Sequence, residues 1–258
     1  MKPLKNTGNS GFTLLDLLVV VGMIALLFII ELPVWAGGKS QTKIGICAGH
    51  VRQLALSCQM YASDNNNRLP VLSGGASWPW DVPAPITVLL LRYGLATNIF
   101  YCPGTSPRFT DQQNWSSPAP GSSLWNFSSS YHITGYAFAF SGGSGIVSFT
   151  NQNTTMLPEP VTMAGTELVP RASERVLVAD ATLSEGAMQP AYASPDNNYV
   201  SIAGGFMQNG LIYPHVSAHL TGNVPTGGNL GFKDGHVAWR QFEVMTPRTT
   251  TTGPFFWW

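Results

Sequence analysis

Charge is what this chain has least of. Lys, Arg, Asp and Glu make up 10% of its 258 residues, as 13 basic and 13 acidic side chains, against roughly 25% in ordinary soluble proteins. A balance of zero with no Lys/Arg run excludes an electrostatic footprint for nucleic acid, so no nucleic-acid partner is expected. Weak self-repulsion suits a chain that packs against copies of itself. Cysteine is scarce too: three, an odd number, exclude a disulfide framework. No G-x-S-x-G elbow and no H-E-x-x-H pair occurs. Gly38-Lys39-Ser40 resembles the end of a phosphate loop, but Pro33 stands where that loop needs Gly. With no catalytic constellation, the chain reads as a non-enzyme without a turning-over cofactor.

What is present begins at the N-terminus. A short polar leader, residues 1–11, carries Lys2 and Lys5 and no acid. Phe12–Ile30 follows, apolar except for Asp16. As a helix its 19 residues rise about 28 Å, close to the roughly 30 Å of a bilayer core. Three readings compete: a plain transmembrane anchor, a secretory signal cut after Ala36, and a signal cut before the apolar run so that the helix stays on the mature chain. Asp16 discriminates. An acid in such a helix is costly and useful only to a subunit that docks beside another helix. Cutting between Gly11 and Phe12 frees an α-amino group that a neighbour's Asp16 could pair with in an apolar bundle, where an unpaired charge is penalised.

Gly11-Phe12-Thr13-Leu14-Leu15-Asp16-Leu17-Leu18-Val19-Val20 resembles the cleavage signal of type IV pilins and type II secretion pseudopilins. The resemblance implies that prepilin peptidase cuts after Gly11 and methylates Phe12, and that Asp16, where the family has Glu, serves assembly. Pro33 matches a proline of the family's stem helix; proline lacks an N–H and kinks or locally melts a helix. Arg52–Leu56 with Tyr61–Asn66, Phe100-Tyr101-Cys102-Pro103, and His219 followed by Asp234-Gly235-His236-Val237 resemble a subfamily of planctomycete- and verrucomicrobium-type genomes. Its gap between His and Asp-Gly is shorter, which implies an insertion around Thr221–Gly228.

Past residue 37, Ile44, Cys47, Val51, Leu54, Cys58 and Tyr61 form one helical stripe at spacings of three and four. Asp64–Asn67 and Pro70 end it. Cys47 and Cys58 lie about 16 Å apart along a helix, too far for a disulfide; Cys102 pairs with one of them only if the fold brings it close, and buried free thiols are expected. Ile86–Tyr93 reads as a short helix or strand, and Tyr136–Ser141, Gly145–Phe149 and Arg175–Ala181 as strands. Asp234-Gly235 reads as a type I′ hairpin turn between Asn229–Lys233 and His236–Phe242. Asp180, Asp196 and Asp234 fall in or near turns. Asp196-Asn197-Asn198 offers oxygens to a structural Ca²⁺, and His215, His219 and a carboxylate offer a metal set, but no spacing defines a metal site; the histidines read as loop and surface residues. The aromatic tail, Pro254–Trp258, serves either as core packing or as a partner contact.

The expectation is an α+β, pilin-like fold. A long N-terminal helix, a transmembrane half followed by an amphipathic half, packs on an antiparallel β-sheet head with long loops. Its divisions are the leader 1–11, the transmembrane and assembly helix 12–36, the stem helix 37–68 and the head 69–258. The expected protein is a pilin or pseudopilin in the bacterial inner membrane, its head in the periplasm, which then joins a pilus or pseudopilus. Its partners are other such subunits, prepilin peptidase and the inner membrane. The rival is a binding or adhesion protein cleaved after Ala36.

Overall fold

The computed structural model describes residues 13–73, 78–142, 152–163, 165–186, 197–208, 211–248 and 254–258, without the side chains of 28–39, 163, 204–208 and 211–212. Gly11, Phe12, Gly145–Phe149 and Asp196 lie outside the described residues. The chain forms two compact units, Met1–Thr42 and Lys43–Trp258. Helix α1, Leu14–Asp64, contributes to both and continues through Pro33, Gly37 and Gly38 without a break.

In the first unit, α1 opens with a reciprocal cap. Thr13 donates its N–H (3.0 Å) and its hydroxyl (2.7 Å) to Asp16 Oδ2, and Asp16 N–H donates back to Thr13 Oγ1 (3.2 Å). This is a capping box with Asp in the place of Glu, satisfying N–H groups that the first turn leaves unpaired. The apolar side chains that follow are exposed, Leu14 at 82% and Leu27 at 61%.

The second unit holds the rest of α1. Cys47, Val51, Leu54, Ala55, Cys58 and Ala62 are buried along one face. Asn66 and Asn67 end the helix in the left-handed region (φ 55° and 60°), which Asn tolerates better than most side chains; Asn67 N–H donates to Ala62 O at 2.7 Å.

That face lies on a four-stranded antiparallel sheet of order β13-β12-β6-β3. Its strands are β3 (Tyr136–Phe138), β6 (Val176–Asp180), β12 (Gly227–Phe232) and β13 (Val237–Gln241). Every residue of β6 is buried, as an apolar run between two neighbouring strands and under a helix must be. Gly231 on β12 is where helix and sheet come closest: a Cβ there would sit 2.8 Å from Val51 Cγ1. Polar stitches flank the contact, from Gln59 Nε2 to Lys233 O (2.8 Å) and from Asn229 Nδ2 to Ile44 O (3.2 Å).

The remaining described strands form two-stranded antiparallel sheets: β1 (Asp81–Pro83) with β2 (Tyr131–Ile133), β4 (Val161–Met163) with β5 (Thr166–Leu168), β7 (Thr182–Ser184) with β14 (Phe255–Trp257), β8 (Ile202–Gln208) with β9 (Leu211–His215), and β10 (Leu220–Thr221) with β11 (Val224–Pro225). Helix α2, Ala84–Arg92, begins with Pro85 near its first position, where a missing N–H costs nothing. The hairpin β10–β11 overlaps the stretch where the insertion was expected. The tail, Pro254–Trp258, is buried; Phe256 packs edge-on to Trp80 at 5.0 Å.

The expected fold class is corrected on two points. Among the described residues no helix is long and apolar enough to cross a membrane. Nor is the head built on one antiparallel sheet; its described strands are spread over six, five of them two-stranded. Gly, Pro, Ser and Asn interrupt the apolar runs so often that most strands reach only two or three residues before a turn.

The Asp234-Gly235 turn is corrected as well. Strands β12 and β13 are joined by the four residues 233–236. Gly235 takes a positive φ (88°), but Asp234 does not, and a type I′ turn needs both. Gly235 N–H donates to Phe232 O (2.9 Å), and Asp234 Oδ1 accepts the N–H of His236 (3.1 Å). The carboxylate closes the turn, so one glycine suffices.

Candidate functional site

Four side chains from four separate segments meet inside the second unit: Cys47 on α1, Cys102 after the turn Thr97–Phe100, Asp180 at the end of β6, and His219 just before β10. Their ligating atoms all lie within 4.8 Å of one another, and all four residues are buried. Cys47 Sγ donates to Asp180 Oδ1 at 2.7 Å, and Cys102 Sγ lies 3.2 Å from Cys47 Sγ. His219 Nε2 is 3.3 Å from Cys102 Sγ and 3.3 Å from Asp180 Oδ2.

Local structure aims each donor. Cys47 follows from the helical stripe. Asp180 ends the buried strand β6 with its side chain toward α1, and Asn229 of β12 holds its Oδ2 through a backbone N–H at 2.6 Å and Nδ2 at 3.3 Å. Cys102 caps the turn Pro103–Thr105, receiving the N–H of Gly104 on its sulfur at 3.3 Å. His219 sits at φ 53°, a region costing a non-glycine residue of order 1–3 kcal/mol unless its surroundings hold it there. Trp239 of β13 packs against its ring at 5.4 Å in a T-shape. Gly104 leaves room for that ring; a Cβ there would lie 2.7 Å from His219 Nδ1.

Burial shapes the titration. It pushes the Cys47 thiol well above its ordinary range and raises Cys102 too. For His219 burial opposes charge, but hydrogen bonds to Asp180 and Cys47 outweigh it and lift the imidazole to about 10. A charge on the buried His219 ring thus depends on these partners. A polar string leads outward: Tyr136 OH lies 3.4 Å from Cys47 Sγ and 3.4 Å from His50 Nδ1. A cavity lined by His50, Tyr101, Cys102, Phe109 and Trp115 reaches the edge of the cluster.

Cys102, His219 and Asp180 do not form a nucleophilic triad. A triad base contacts nucleophile and acid through different ring nitrogens, whereas here both contacts go to Nε2. Reactive cysteines are also thiolates with some exposure, and these are buried with raised pKa. Nor are the two sulfurs bonded: 3.2 Å is far beyond the roughly 2.05 Å of a disulfide, and all three cysteines are free and buried.

Of the motif residues, Cys102 and His219 enter the cluster. Asp234, Gly235 and His236 form the exposed β12–β13 turn, with His236 Nδ1 2.6 Å from Asp234 Oδ1. Asp16 caps its own helix. His215, weighed with His219 as part of a metal set that no spacing defined, packs on Trp80 at 4.2 Å and Phe109 at 6.1 Å. The reading of these histidines as loop and surface residues is corrected, since His215 and His219 are both buried. No spacing marked Cys47, Cys102 and Asp180 as one ligand set; the usable signals were the stripe that carries Cys47, the Cys102-Pro103 likeness and an acid closing the run Val176–Asp180. No family model, curated protein or solved structure matches this chain.

Proposed function

We propose that the chain is a pilin-like subunit of a type IV pilus or type II secretion-like filament, cut by prepilin peptidase between Gly11 and Phe12 and assembled through the start of α1. The observation carrying this reading is a helix whose first turns present Leu14, Leu15, Leu17 and Leu18 to solvent, each more than half exposed. A run of large apolar side chains around a helix surface marks an interaction site, and neighbouring subunits' helices are the partner that removes them from water. The sequence Gly11-Phe12 with Asp16 supplies the rest: a new amine on Phe12 and a carboxylate one turn on, able to pair between neighbours. In this role the head is a surface and turns nothing over.

The test is the mass of the mature chain, expressed in a bacterial host with and without a prepilin peptidase. The reading expects a chain beginning at methylated Phe12 only when the peptidase is present. A mature chain beginning at Gly37, or one uncut in both hosts, overturns it.

A further inference from the structure

We propose that Cys47, Cys102, Asp180 and His219 bind one Zn²⁺ ion, which fastens α1 to the sheet of the second unit. The donors argue for this metal. Two sulfurs, an imidazole and a carboxylate are the ligand types of tetrahedral zinc sites. Ca²⁺ and Mg²⁺ call for shells of oxygen, and thiolates select softer ions. The donors come from segments 55, 78 and 39 residues apart in sequence, so chain proximity does not account for their meeting.

The geometry is close to a zinc shell. With Zn–S about 2.3 Å and Zn–N about 2.0 Å, neighbouring donors of a tetrahedron lie roughly 3.3–3.8 Å apart. The contacts here run from 2.7 to 3.3 Å, so a small outward turn of the side chains admits the ion. Around the donors stands the second layer that metal sites use to orient their ligands. Gly104 N–H points at Cys102 Sγ, Asn229 holds Asp180, and Trp239 walls His219. The cavity touching Cys102 gives a route in. Protons leave the ligating thiols as the cation enters, and two thiolates with one carboxylate face Zn²⁺, a set with one net negative charge. The site is independent of the filament reading, since no residue of the apolar helix start takes part.

The test uses the full chain, purified in detergent under reducing conditions. Elemental analysis is expected to find about one zinc per chain. After exchange for Co²⁺, tetrahedral d–d bands and a thiolate-to-cobalt charge-transfer band are expected. Asp180→Asn and Cys102→Ser should each weaken retention at least about 10-fold, while His236→Gln, in the exposed turn, should not. Should a cluster variant fail to fold, the native chain's metal content and cobalt spectrum still decide. A native chain that takes up no zinc with its thiols reduced overturns the proposal. So does a Cys47–Cys102 disulfide in protein alkylated at lysis, or a stoichiometric metal other than zinc.

Discussion

Replacing Gly231 by Ala tests how α1 is seated. In an open strand position this change would stabilise by about 0.4–1 kcal/mol, because alanine has less freedom to lose on folding. At Gly231 the new Cβ would lie 2.8 Å from Val51 Cγ1 and 3.4 Å from both Ala55 Cβ and Val51 O. Carbon atoms pack best at about 3.5–4.0 Å, so the helix must lift or Val51 must leave its rotamer. Overpacking of this kind costs about 1–3 kcal/mol, which exceeds the entropic gain. For a unit of this size each kcal/mol lowers Tm by about 2–4 °C. Gly231→Ala should therefore lower the thermal midpoint by several degrees, followed by near-ultraviolet circular dichroism. Val51→Ala, itself destabilising, should partly rescue it: the double variant should be more stable than the sum of the two singles by at least about 0.5 kcal/mol. Additive effects, or a stabilising Gly231→Ala, would refute the close seating of α1 on β12.

Phe256→Ala removes a fully buried ring packed on Trp80 and should cost about 3–5 kcal/mol, read by denaturant unfolding; a cost under about 1 kcal/mol would mean that the tail is not core. Glu159 accepts from Lys233 Nζ at 2.6 Å; burial raises its pKa, but the hydrogen bonds from Lys233 and Thr154 win and hold it below the usual glutamate range. Its contribution is thus complete above the unfolded value of about 4.3 and is lost as pH falls through the lower folded value. Glu159→Gln should flatten the stability curve in that acid window and leave its shape near neutrality unchanged. Thr13→Ala and Asp16→Ala both break the cap of α1, the N-cap change Thr13→Ala at about 0.5–2 kcal/mol, but only Asp16→Ala should abolish filament incorporation; equal incorporation of both variants would reduce Asp16 to a capping role. Gly104→Ala drives a methyl toward His219 Nδ1 and should weaken zinc retention in the full chain with little loss of helix content.

Local features were readable because local chemistry sets them. The stripe through Cys47, Val51, Leu54 and Cys58 follows from helical periodicity, and those residues are buried on one face of α1. The run Val176–Asp180 is a strand because an unbroken apolar segment with β-branched residues needs neighbours on both sides. At Asp234-Gly235 the turn was legible and its type was not. Whether the residue before Gly also takes a positive φ depends on loop length, and Asp234 spent its carboxylate on His236 instead. Asp180 was legible as the end of a strand, but its partners were not, because Asn229 and His219 reach it only across the sheet. Asp16 was read as a docking charge, since the sequence shows a lone acid in an apolar run; that Thr13 can bond it reciprocally is a matter of helix-end geometry.

By itself the sequence determined the buried stripe of α1 that ends at Asp64, a central buried strand and a glycine turn near the end. All rest on interactions within a few residues, which spacing records. Only the tertiary structure decided that the head is a patchwork of small sheets, that the aromatic tail is core, and that Cys47, Cys102, Asp180 and His219 converge. Those outcomes depend on which distant segments share a face. A cluster drawn from four segments leaves no periodicity in the chain; it exists because α1, seated on Gly231, brings Cys47 over the end of β6, where Cys102 and His219 close around it.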